Sequence, residues 1–76
     1  MAEKTLNDAS IGTDLLINRI KTSPETCIRL RELGLIENSV VRVVMSNPSQ
    51  LICEVYNTRI GLHKKIAKDI FVTYKN

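Results

Sequence analysis

The candidate metal ligands of this sequence are Cys27, Cys53, His63, Glu32 and Glu54. A closed metal site draws three or four such ligands to one point, usually announced by short paired spacings such as C-x-x-C. No such spacing occurs here. Cys27 shares the apolar stripe of a helical stretch, and Cys53 alternates with Leu51 and Val55, so both read as small core hydrophobes. His63 and Glu54 read as solvated polar residues of a strand. The expectation is therefore no metal site, no cofactor and no catalytic residues. One histidine and two unlinked cysteines supply neither a Ser-His-Asp nor a Cys-His arrangement, and the three glycines form no phosphate-cradling run. The sequence predicts a protein that is not an enzyme.

Charge carries more information. Eleven basic residues face eight acidic ones, for a formal net charge of +3. The signs are interspersed and aromatic residues are few, whereas single-stranded nucleic-acid binders combine a basic groove with stacking aromatics. Arg29, Arg31 and Glu32 lie off the apolar stripe of the same helical stretch. With Arg59 they form the candidate partner-binding set, since arginine offers stacking area and a planar donor fork. A second basic group, Lys64, Lys65 and Lys68 with Arg59 nearby, has the chemistry to meet phospholipid headgroups or an acidic patch on a partner.

These side chains need elements to position them. With 76 residues, the chain fits one domain, 1–76, with a core over about 5–74. A chain of this length buries only roughly 60% of its unfolded surface, so its patterning must be economical. Its apolar residues are mostly Ile, Leu and Val, which suit strands. The first residues carry no apolar leader run and are expected to be loose until Leu6. Ser10-Ile11-Gly12-Thr13 is a turn signal. Residues 14–21 then read as a strand with Leu15, Ile17 and Ile20 inward, the step of three between the isoleucines implying a bulge.

Thr22-Ser23-Pro24-Glu25 opens a helix, capped either by Thr22 or by Ser23 with Pro24 first in the helix. It should run to about Leu33, bury Cys27, Leu30 and Leu33, and stop at Gly34, with Leu35 folding back. Glu37-Asn38 is a turn. Strands are expected at 40–45, with Val41, Val43 and Met45 inward, at 51–56 and at 59–63. The last two are joined tightly at Asn57-Thr58. A helical turn at 65–69 and a strand at 70–74 follow. Five short strands must curl to cover their own apolar face. A helix directly after the first strand favours a small SH3-like barrel over an OB-fold.

In this setting Arg29-Leu30-Arg31-Glu32-Leu33-Gly34-Leu35 resembles the R-L-x-E-L-G-L signature of the FeoA family. The order of the remaining features agrees. Leu6 and Gly12 precede the first strand, Val41 and Val43 follow the turn, Ile60-Gly61-Leu62 sits in the late hairpin, and Ala67 with Ile70-Phe71-Val72 closes the chain. Glu37-Asn38 stands where the family usually has Pro-Gly, Asn57 where it usually has Gly, and His63 where it usually has a basic residue. Asparagine tolerates left-handed backbone, so both turns are compatible with the fold.

The resemblance implies a cytoplasmic accessory protein of ferrous-iron uptake. Its implied partner is the cytoplasmic GTPase domain of a FeoB-type ferrous iron permease, through which alone it would reach the membrane, without inserting. The same fold occurs as the C-terminal domain of DtxR-type iron- and manganese-responsive repressors, whose helix-turn-helix this chain lacks. The alternative is a stand-alone small barrel that binds nucleic acid or another protein.

Overall fold

Alternating apolar residues build one antiparallel sheet of six strands in a computed structural model that describes residues 3–75. What was expected of residues 1, 2 and 76 lies outside the described residues. In chain order the elements are β1 (Lys4–Thr5), a 3-10 turn (Leu6–Asp8), β2 (Asp14–Ile20), α1 (Pro24–Glu32), β3 (Val40–Ser46), β4 (Gln50–Val55), β5 (Thr58–His63), α2 (Lys64–Ala67) and β6 (Ile70–Tyr74). The strands lie in the order β1-β6-β2-β3-β4-β5. The sheet curls around a core fed from every long strand: Leu15 and Ile17, Val41 and Val43, Leu51, Cys53 and Val55, Ile60 and Leu62, Ile70 and Val72. Leu6, Leu30, Leu35 and Ala67 close its ends, and α2 packs on β4, β5 and the 3-10 turn. This is the mainly β, SH3-like architecture expected, with six strands where five were read.

The extra strand is β1. Lys4 pairs with Val72 and Thr5 with Phe71, and Leu6 behind them is fully buried, so the chain is ordered before Leu6. Two residues are too few to show alternation. The bulge in β2 is present, with the register to β6 shifting between Ile17 and Arg19. Past it, Ile20 is half-buried and packs against the core from its edge. A second bulge between Val43 and Met45 was not expected. It places Met45 opposite Ile52 on the outer face, and Met45 is therefore exposed, not inward.

Helix α1 takes the Ser23 cap: its hydroxyl accepts the Thr26 N–H at 3.2 Å and Pro24 occupies the first turn. The helix ends one residue before the expected Leu33. Gly34 adopts φ +92°, which glycine enters without steric cost. Its N–H donates to the Arg31 carbonyl at 3.0 Å and the Leu35 N–H to the Leu30 carbonyl at 2.8 Å, the paired bonds of a Schellman stop. This turn drives Leu35 in beside Leu30 and leaves Leu33 46% exposed. Leu33 is thus a rim residue, and Cys27 is only half-buried.

Candidate interaction surface

The surface around the end of α1 follows from two left-handed turns that meet. One is the Gly34 stop. The other joins β4 to β5 at Tyr56 and Asn57, whose φ values of +51° and +63° fit a two-residue hairpin turn of the primed type. The turn lies one residue earlier than expected, because Thr58 pairs with Val55 and belongs to β5. A β-branched threonine is poorly suited to positive φ. Tyr56 therefore leaves the strand and lays its ring against Gly34: a Cβ on Gly34 would stand 2.8 Å from Tyr56 Cδ2. The Tyr56 hydroxyl lies 3.4 Å from that of buried Ser39, yet the residue is 72% exposed.

Two adjoining clefts flank this contact and share Asn38. One, of about 400 Å³, is lined by Ile20, Cys27, Arg31, Leu35, Ile36, Glu37 and Asn38. The other, of about 420 Å³, runs along Asp14, Val40, Arg42, Glu54, Tyr56 and Asn57. Asn38 enters the turn between α1 and β3 with φ +74°. Its N–H donates to the Ile17 carbonyl at 2.8 Å. The asparagines at both departures from the family pattern thus adopt the left-handed backbone their position requires.

The four candidate partner-binding residues are all exposed. At 100° per residue, Arg29 and Arg31 flank the buried Leu30 on opposite sides, and Glu32 with Ile28 forms the outer face of α1. Of the three helical residues only Arg31 lines a cleft. Arg59 sits two residues beyond the β4–β5 turn and faces Glu54 across the hairpin at 3.8 Å. Among the described residues, none of Arg29, Arg31 and Glu32 joins an ion pair. Tyr56, Ile36, Ile28 and Leu33, each at least 40% exposed, supply the apolar part of the surface, and the reading by residue type passed over the first three. The signal for Tyr56 was present: with Leu51, Cys53 and Val55 inward, alternation points residue 56 outward.

The five candidate ligands form no metal site among the described residues. No group of three or more His, Cys, Asp or Glu able to hold a metal ion occurs among the described residues. His63 instead caps α2, its Nδ1 accepting the Lys65 N–H at 3.2 Å. Cys53 is fully buried, and that burial pushes its thiol up to about 11.

The model of the FeoA domain matches residues 4–74. The chain belongs to the FeoA family. This places it in a family associated with ferrous iron transport. A crystal structure of an iron uptake regulatory protein (FeoA) is similar over 97% of this chain and 100% of that one, at 20% identity and TM-score 0.89. The iron(II) transport protein A of Clostridium thermocellum is 25% identical, with TM-score 0.86, over 92% of this chain and 44% of its own. ScaR with bound Cd2+ matches at 23% identity and TM-score 0.85; 95% of this chain covers 35% of it. The FeoA fold is thus shared with one part of a longer metal-binding protein. Comparison with curated proteins finds no sequence match. No helix among the described residues is long and apolar enough to cross a membrane.

Proposed function

We propose that this FeoA-family domain is a non-enzymatic accessory of ferrous-iron uptake in the cytoplasm. It docks on the cytoplasmic GTPase domain of a FeoB-type permease and modulates transport or GTP turnover. Family membership supplies the iron context. The observation that carries the docking reading is the contact of Tyr56 with Gly34, which joins the β4–β5 turn to the end of α1. It sets an exposed aromatic ring beside exposed Leu33 and Ile36, with arginines nearby that join no ion pair among the described residues. Aromatic residues and arginine are enriched among the positions that dominate interface energies, and a mixed apolar and charged rim suits reversible association.

The test is calorimetric titration of the domain against the soluble domain of the permease. Arg29→Glu with Arg31→Glu, and separately Tyr56→Ala, should each weaken binding at least tenfold, about 1.4 kcal/mol. Circular dichroism should show the double arginine variant melting as the parent does, because both side chains are exposed. Full-strength binding by both folded variants would remove this surface from the interface.

A further inference from the structure

The hairpin partner of β4 is also the last strand of the sheet on its side. The main-chain direction of each β5 residue follows from its register with β4, where Gln50 faces His63 and Val55 faces Thr58. The Lys64 N–H donates to the Ser49 carbonyl at 3.1 Å, which makes 49 and 64 a hydrogen-bonded pair. In an antiparallel ladder such pairs alternate with pairs whose main-chain groups point outward. Residues 58, 60 and 62 therefore bond to β4, while Arg59 and Gly61 turn their N–H and C=O groups to the free edge. No turn, loop or cap hydrogen bond among the described residues engages either of them. Both are exposed, and the position of a Cβ on Gly61 has nothing within 4 Å.

This open edge is strongly biased in charge. From Thr58 to Lys68 the chain carries Arg59, Lys64, Lys65 and Lys68 and no acidic residue. Of these four, only Arg59 has an ion-pair partner among the described residues, Glu54. Lys65 on α2 and Lys68 at its C-cap are exposed, and α2 follows β5 directly and packs against it. Charges of one sign beside an edge oppose pairing with a second copy of the same edge. They favour a strand of the opposite sign. The outward side chains of β5, Arg59, Gly61 and His63, offer no apolar group for insertion into a lipid surface.

We propose that the free edge of β5 is a β-augmentation site for an extended acidic peptide segment, whose main chain pairs with Arg59 and Gly61 while its carboxylates meet Arg59, Lys65 and Lys68. This is the strand-addition mode of peptide recognition. It is a different face from the α1 surface, with Arg59 at their boundary, so the two stand or fall separately.

The experiment is a titration of the full 15N-labelled chain with an acetylated, amidated decapeptide of alternating glutamate and valine. Two further peptides of the same sequence carry N-methyl groups on the odd or on the even peptide bonds, and a fourth replaces glutamate by lysine. The acidic peptide should shift resonances of Thr58–Lys68 saturably and slow amide exchange at Arg59 and Gly61 at least tenfold. Lys65→Glu with Lys68→Glu should weaken that binding at least tenfold with an unchanged melting curve. N-methylation on the pairing side should abolish it, and the lysine peptide should not bind. Equal binding of the N-methylated peptides in both registers would reduce the effect to charge attraction and overturn strand addition. Absence of saturable shifts at millimolar peptide would overturn it too, as would exclusive binding to phosphatidylglycerol vesicles.

Discussion

Replacing Gly34 by alanine strikes the point where the two left-handed turns meet, and the structure separates its cost into two parts. The backbone at φ +92° is unfavourable for any residue with a Cβ, at about 1–2 kcal/mol. The new methyl would stand 2.8 and 3.0 Å from two carbons of the Tyr56 ring. That ring is exposed enough to move, so the steric part belongs at the low end of overpacking costs, about 1 kcal/mol. Alanine returns about 0.4–1 kcal/mol by restricting the unfolded chain. Gly34→Ala should therefore destabilise by about 1–2.6 kcal/mol, a fall in Tm of about 4–20 °C for a domain of this size. In a Tyr56→Ala background the steric part vanishes and the loss should shrink by about 1 kcal/mol. Urea unfolding of the four proteins of this double-mutant cycle measures the difference. Equal losses in both backgrounds would show that the ring does not rest on Gly34, and no loss in either would refute the left-handed stop.

Other expectations concern the core and the titratable groups. Leu30→Ala and Val43→Ala, both at 2% exposure, should each cost about 2–4 kcal/mol, and urea midpoints equal to that of the parent would show them not to be core. One thiol, Cys27, should react with a disulfide reagent at pH 8 in the native protein, and Cys53 only after denaturation, since burial holds it as a thiol up to about 11. Two fast equivalents in the native state would contradict this. The Tyr74 phenol, hydrogen-bonded to Ser10 and Lys4, ionises below its ordinary 10.0. Because folding lowers this pKa, its contribution to stability is complete above the unfolded value and is lost as pH falls through the folded one. Absorbance titration at 295 nm should show its ionisation moving up in Ser10→Ala, and an unmoved curve would deny the hydrogen bond its role.

The long elements were legible because each announces itself twice, once by period and once by a stop. Ser23-Pro24 and Gly34 delimit α1, and Leu51, Cys53 and Val55 set the face of β4. What was misread depended on a residue inserted or shifted by one. The bulge before Met45 turns that side chain outward, and nothing local in Val43-Val44-Met45 marks which residue is extra. Leu33 fits the helical stripe, yet the stop at Gly34 hands its place to Leu35. The candidate surface was half legible. Charged side chains on α1 could be named from the helix alone, whereas the closeness of Tyr56 to Gly34, 22 residues apart in number, is a property of the closed sheet.

The position of β6 between β1 and β2 also bears on how the domain is made. The last strand in the order of synthesis is an interior one, and Lys4 finds Val72, and Ile17 the same residue from the other side, only after every other element has emerged. Until then the nascent chain can assemble only the β2-β3-β4-β5 meander, whose β2 edge is unpaired and whose Leu15 and Ile17 lack the cover of Ile70 and Val72. Such an edge is open to wrong partners. Until Ile70–Tyr74 inserts, β2 therefore keeps an open edge, and insertion of that strand is the step that completes the native sheet.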